Sequence, residues 1–410
     1  MLLVIFMSYK IESLDSFGKG VTHIDGKVAF ISNALENEEV DVDITSHKSK
    51  YIEGVSRDIS NVNECRRDYP CPYYLECGGC NIMHMNYERQ LKFKMEKAKN
   101  VLEKIAKISN KVEKIISNTE FGYRNKVTLK VKDGQIGFFK NKSYTLVPIS
   151  KCLLCTDAIN RVIEYLNKCD LSSLEEVVIR SNYKDEILLL LKGDNIDSNY
   201  FLNHLENVDN IVLLDKSFKK VIKGNDFFID KIKDLYFKVS ISSFFQVNYE
   251  GVAKLYDTVL SSCKLNSNLE VLDLYCGTGT IGMFLARNVK SVFGIEINKD
   301  AVCDANYNKE LNKISNINFL CSDVGLVKEK FKGIDLVIVD PPRSGLSKEA
   351  LLNVLDIKAS NIVYVSCDVS TLARDLNILK ETYDVSKITL VDMFPNTYHV
   401  ECVSVLTKKN

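Results

Sequence analysis

Cys367 closes the run Asn361-Ile-Val-Tyr-Val-Ser-Cys-Asp368, where a short apolar stretch ends in a thiol and passes at once into a helix-like segment. Strand ends at the carboxyl edge of an open α/β sheet are where ligands bind and chemistry takes place. A thiol there can act as a nucleophile, or it can fill the core as most free cysteines do. Upstream, Val271-Leu-Asp-Leu-Tyr-Cys-Gly-Thr-Gly-Thr-Ile-Gly282 puts Gly277 and Gly279 in a turn after a strand, where backbone can approach a ligand. Glu296 ends the next strand about twenty residues on, placed to accept hydrogen bonds from ribose hydroxyls. A nicotinamide enzyme would use similar geometry, but it usually spaces its glycines as G-x-G-x-x-G to seat a pyrophosphate. Asp273 and the Cys-Gly-Thr-Gly-Thr turn suit a cofactor without phosphates, and Ser322-Asp323 could hold an adenine amino group. Asp340-Pro-Pro-Arg343 follows a fourth strand and is either a rigid turn or part of the same site.

A second chemistry is suggested by Cys71-x5-Cys77-x2-Cys80, with Gly78-Gly79 between the last pair. Three soft ligands on one tight loop favour a metal, and spacing alone leaves zinc and iron-sulfur both open. Without a leader peptide in the sequence, 13 cysteines read as thiols, ligands or catalytic groups of a reducing, cytoplasmic compartment rather than as a disulfide framework. The apolar run Met1–Met7 is too short to span a bilayer, so no membrane association is expected, and translation could start at Met7.

The elements that must position these groups follow from periodicity. The 410 residues, 46% of them hydrophobic, are enough for two or three domains. With 54 basic against 54 acidic side chains the net charge is +0, so any nucleic-acid surface must be local. Short alternating strands up to about residue 60 predict a small β-barrel over 1–62. Residues 63–238 predict a central α+β domain holding the cysteine loop, the strands after Arg124, and an amphipathic helix over Tyr87–Lys114. The wet face of that helix is either a basic surface or an ordinary solvated one. From 239 to 410 strand and helix alternate: 269–275, 291–297, 316–320, 334–339, 362–365 and 387–391 read as strands. Such alternation predicts a parallel sheet covered on both faces, and the run 400–406, lacking an intervening helix, should add antiparallel.

The glycine turn, Glu296 and Asp340-Pro-Pro-Arg343 resemble the class I S-adenosylmethionine (SAM)-dependent methyltransferases. Arg343 stands where nitrogen-methylating enzymes commonly carry an aromatic residue. Together with Phe244-Phe-Gln-Val-Asn248, Ser366-Cys-Asp368 and His399-Val-Glu401, these motifs resemble the RNA 5-methyluridine methyltransferase family over nearly the whole chain. The resemblance implies a Rossmann-like C-terminal domain in which Gln246, Tyr275, Thr280, Glu296, Asp323 and Asp340 bind SAM. Cys367 would be the nucleophile and Glu401 the proton acceptor in methyl transfer to C5 of a flipped uracil. It also implies a fourth ligand, Cys152, and a [4Fe-4S] cluster on Cys71, Cys77, Cys80 and Cys152, with Cys65 and Cys155 ranked lower. The N-terminal barrel resembles the TRAM RNA-binding domain, and Tyr123-Arg-Asn-Lys126 resembles a motif of the central domain. Members with both barrel and cysteine cluster generally modify 23S ribosomal RNA; the alternatives are T-loop methylation of transfer RNA and a non-catalytic RNA-binding iron-sulfur protein, and no obligate protein partner is evident from the sequence. Two departures stand out. Asp368 replaces a frequent asparagine, and Asn396 a common histidine.

Overall fold

A sheet buried on both faces needs strands with a continuous apolar run, and Leu336–Val339 and residues 362–365 of Asn361–Ser366 meet that demand. In the computed structural model they lie at the centre of an eight-stranded sheet. The structure describes residues 8–216, 218–241, 243–327, 331 and 333–410; the Met1–Met7 run lies outside the described residues. The order across the sheet is Ile317–Cys321, Ser291–Glu296, Glu270–Leu274, Leu336–Val339, Asn361–Ser366, Glu401–Lys408, Tyr383–Val391 and Val112–Ile116. The first five are parallel, as the alternation of strand and helix requires. Glu401–Lys408 enters antiparallel between two neighbours rather than at an edge.

The edge is taken by Val112–Ile116, parallel to Tyr383–Val391. This corrects the expected helix over Tyr87–Lys114. The helix runs Tyr87–Val101, continues as one π-helical turn Leu102–Ala106, and stops where Lys107 takes φ 55°. Ser109-Asn110 then turns the chain, and β-branched Val112, Ile115 and Ile116 favour the strand. A uniformly wet basic face is not found either. Lys94 is buried and donates to the Phe394 carbonyl at 3.0 Å, Lys97 donates to the Tyr398 carbonyl at 3.0 Å, and Arg89 pairs with Glu36 and Glu96.

The chain divides into two units. One comprises Met1–Lys97, Phe138–Val147 and Phe394–Tyr398, the other Ala98–Gly137, Pro148–Met393 and His399–Asn410. In the first, Ser8–Lys10 pairs with Glu39–Asp41 and Ser13–Leu14 with Gly20–Val21, so one short segment supplies both ends of a six-stranded order and closes it as a barrel. Ile11, Ile24, Ile31, Val40 and Ile52 fill its core. In the second unit, beside the eight-stranded sheet, Lys126–Lys132, Leu174–Ser181, Ile187–Gly193, Asn210–Asp215 and Lys219–Lys223 run side by side in that order.

Candidate active site

The antiparallel register ends with Ser366 opposite Cys402, so Cys367 follows the last paired residue of one strand and Glu401 precedes Cys402 on the other, near enough for the Glu401 charge to act on the thiol. Cys367 is half-buried and Glu401 is 6% exposed. Burial, then Glu401 and Asp340, push the Cys367 thiol up to about 12, against the opposing pull of Arg343. The thiol therefore rests protonated, and attack must be coupled to proton loss. Asp368 ends the strand by capping the helix Val369–Leu379, its carboxylate accepting from the N–H groups of Ser370 and Thr371 at 2.9 Å each. Asparagine and aspartate cap about equally well, so this departure changes little.

The Asp340-Pro-Pro-Arg343 loop is fixed from the same helix. Arg374 donates to the carbonyls of Ser344 and Leu346 at 3.0 Å each, and Thr371 to that of Arg343 at 3.1 Å. Beneath it Asp375, 1% exposed, accepts from the Leu346 N–H at 2.9 Å, the Tyr364 hydroxyl at 2.7 Å and Arg374 Nε at 2.8 Å. No motif pointed to Asp375; its only sequence signal is a carboxylate on the inward face of a helix. Asp375→Ala would leave two buried donors unpaired, and we expect a loss of about 3 kcal/mol in denaturant unfolding. A loss below about 0.5 kcal/mol would show that the loop does not depend on this carboxylate.

The glycine turn forms as expected and is strained. Tyr275 takes φ 61°, a left-handed conformation that bulky side chains avoid, and is followed by Gly277 at 54° and Gly279 at 81°. Glu296 pins it. Its carboxylate accepts from the N–H of Gly277 at 3.1 Å and of Asn298 at 2.8 Å, leaving further lone pairs for a ribose. Thr280 opens the helix Thr280–Ala286 and shares a 2.7 Å hydrogen bond with the Tyr256 hydroxyl. Asp323 is exposed and caps the short turn Val324–Leu326, accepting from Gly325 N–H at 2.6 Å. Gln246 lies on an irregular segment held by the Tyr123–Lys126 motif: Asn125 donates through its side chain to the Gln246 carbonyl at 3.4 Å and through its backbone to that of Val247 at 2.9 Å.

Burial raises three carboxyls of this region, Asp273 to about 8, Asp340 to about 7 and Glu401 to about 8; Asp340 adds to the rise of the other two. Folded values above the ordinary carboxylate value of about 4 mean that the folded chain keeps protons which the unfolded chain has lost. The stability they contribute is fully present below the unfolded pKa and is lost as pH rises through the folded values. We expect the melting temperature to fall between pH 5.5 and 8.5, measured by thermal scanning at constant ionic strength. A flat or rising profile in that window would contradict the assignment.

In the other unit, residues 61–86 form neither strand nor helix. Tyr74 donates to the Asn81 carbonyl at 2.8 Å and lies 2.6 Å from Nδ1 of His84, whose complete burial holds it near 3 and hence neutral. Cys71, Cys77 and Cys80 are half-buried, and the Gly79 N–H donates to Cys77 Sγ at 3.4 Å. The donors are chemically right for a soft metal, but among the described residues no three His, Cys, Asp or Glu side chains converge to hold one. Asn396, the second departure, takes φ 67° and ties this loop: Arg67 and Gln90 donate to its side chain, and Asn81 and Ile82 to its carbonyl. Cys152 belongs to the unit with Cys367; hydrogen bonding from Cys155 draws its thiol down to about 6.

Residues 86–409 match the family model described as tRNA (uracil-5-)-methyltransferase, and residues 10–55 that of the TRAM domain. The chain belongs to the uracil-5-methyltransferase family. A protein of Halalkalibacterium halodurans named as an uncharacterized RNA methyltransferase is 33% identical, covering 98% of this chain and 96% of its own. A Caldanaerobacter subterraneus protein of the same description is 35% identical, covering 97% of each chain. Among solved structures, tRNA (uracil-54, C5)-methyltransferase of Pyrococcus abyssi in complex with S-adenosyl-L-homocysteine (SAH) aligns with TM-score 0.77 and 28% identity, covering 98% of this chain and 100% of that one. The family is SAM-dependent and acts on RNA, and the N-terminal barrel is its TRAM domain. Among the described residues no helix is long and apolar enough to cross a membrane.

Proposed function

We propose that the chain methylates C5 of a uridine in 23S ribosomal RNA, in the cytoplasm, through a covalent bond between Cys367 and C6. The observation that supports the covalent route is the meeting of Cys367, Glu401 and Asp340 where the Ser366–Cys402 pairing ends, each carboxyl acting on the thiol. Bound SAM supplies an electrophilic methyl group; Gln246, Tyr275, Thr280, Glu296, Asp323 and Asp340 are the residues that would hold it. Uracil offers no carbon nucleophile unaided. Cys367 Sγ bonds to C6 as its proton passes to solvent water, electron density moves to C5, and C5 takes the methyl group. Glu401 then removes the C5 proton, the S–C6 bond breaks, and Cys367 is restored. Phe244, 74% exposed beside Gln246, offers a ring face on which a base taken out of its stack could lie.

The Pyrococcus abyssi structure, named for a tRNA substrate, favours a second reading, methylation of the transfer RNA T loop. Incubating the chain with SAM and purified 23S and transfer RNA side by side, then mapping 5-methyluridine by mass spectrometry, separates the two. Product in 23S RNA alone supports the first reading, and product in transfer RNA alone replaces it. Product in neither would favour a non-catalytic RNA-binding role.

We also infer that Cys71, Cys77 and Cys80, with Cys152 as the donor implied by family resemblance, carry a structural [4Fe-4S] cluster; methyl transfer moves no electrons. Anaerobic preparations should contain about four iron and four sulfide per chain. Stoichiometric zinc without iron would overturn this.

A further inference from the structure

Four carboxyl groups meet at the carboxyl edge of the large sheet: Asp273 within Glu270–Leu274, Glu296 at the end of its strand, Asp340 just past Leu336–Val339, and Glu401 opening the last strand. Asp273 is 1% exposed, no side chain bonds its carboxyl, and the Gly282 backbone beside it is the sole donor that draws its pKa down. Gly282 allows this carboxyl its place, since a Cβ there would stand 2.8 Å from Asp273 Oδ2. The other titratable groups facing the set are Tyr256, Tyr275, Cys276 and Cys367, none of which carries positive charge in any state. Arg343 is the cation that acts on Glu401 and Cys367, and it is exposed. A buried carboxylate without a cation or side-chain donor is among the costlier groups a fold can keep. Here it sits under the turn that receives the cofactor.

We propose that this carboxylate set selects the cofactor by charge, taking the sulfonium form with release of a proton and giving up the neutral thioether left after transfer. The inference rests on the reading of the glycine turn and Asp340 as the SAM site. Without a cation the carboxyls hold protons, because burial and mutual repulsion both raise them. A sulfonium brought close favours the ionised form, so a carboxyl O–H loses its proton to solvent. Affinity for a cation must then rise with pH until the set is ionised without help. After transfer the positive charge is gone from sulfur, the carboxylates repel one another again, and proton uptake accompanies loss of the product. The same site thus favours substrate entry and product exit without moving parts.

Calorimetric titration of the full-length protein with SAM, with SAH, and with an analogue bearing a primary ammonium in place of the sulfonium tests this. Titrations at pH 6, 7 and 8 in buffers of different ionisation enthalpy count the protons. SAM and the ammonium analogue are expected to release up to one proton and to gain about tenfold in affinity per pH unit where release is complete, while SAH changes less than threefold. In Asp273→Asn the pH slope for SAM and the preference for SAM over SAH should both shrink. Equal pH profiles for SAM and SAH, or SAM binding without proton release, overturn the inference while leaving the cofactor site intact. Binding of neither SAM nor SAH would take down the cofactor reading itself, and this inference with it.

Discussion

Cys367→Ala is expected to lose methyl transfer by about five orders of magnitude, because the nucleophile has no substitute within the site. Glu401 and Asp340 are the other potential nucleophiles acting on Cys367, and a carboxylate is a far weaker nucleophile than a thiolate toward a carbon such as C6. The variant should keep its fold. The thiol is half-buried rather than locked in the core, and the Asp368 cap and the Asp375 contacts that define this helix do not involve its sulfur. SAM affinity should stay within about threefold, since Cys367 is not among the residues pinning the glycine turn. The measurement is single-turnover 5-methyluridine formation with excess enzyme, alongside calorimetric SAM binding. Turnover within tenfold of wild type would eliminate the covalent route; loss of SAM binding would mean that the thiol supports the cofactor site instead.

Much of this arrangement was legible because it is written in local sequence. The strand ending at Cys367, the turn at Gly277 and Gly279 and the carboxylate at Glu296 are each set by a period-2 or continuous apolar run meeting turn residues, and the structure places their strands within one or two residues. The antiparallel entry of Glu401–Lys408 followed from the lack of room for a crossover helix. What failed depended on partners far away in sequence. The helix after Tyr87 keeps its apolar spacing up to Ile108, so nothing local announces that Lys107 turns left-handed or that Val112–Ile116 joins the sheet beside Tyr383–Val391. Lys94 and Lys97 looked like wet-face charges, yet their ammonium groups serve carbonyls some three hundred residues away. Asp375 was invisible for the same reason: its worth comes from Leu346 and Tyr364, which only the fold brings to it.

The carboxyl groups extend that lesson to electrostatics. A sequence shows Asp273, Asp340 and Glu401 as three separate acids, each of which would be ionised in water near neutral pH. The sheet puts them at one edge, removes most of their water and raises all three. Acid-base assignments for this chemistry must therefore start from protonated groups that ionise when positive charge arrives, not from three resident anions.

Glu401→Gln carries that argument to its sharpest consequence. Glutamine keeps the volume and the strand start beside Cys402, but its amide cannot accept a proton as a carboxylate does. Attack at C6 and methylation at C5 remain possible, whereas the C5 proton cannot leave, so the S–C6 bond has no route to break forward. The variant should turn over about a thousandfold more slowly and accumulate a covalent chain–RNA adduct, seen as a band of reduced mobility on denaturing gels. That adduct should contain the transferred methyl group. In the wild type, a base raised to about 8 must lose its proton before acting, so the single-turnover rate should climb with slope near one below that value and level off above it. Glu401→Gln should flatten this limb, because the group that titrates is gone. If the variant instead shows no adduct and no methylated RNA, Glu401 is needed before C6 is attacked, as the acceptor of the Cys367 proton; if turnover and pH limb both persist, the proton leaves C5 through Asp340.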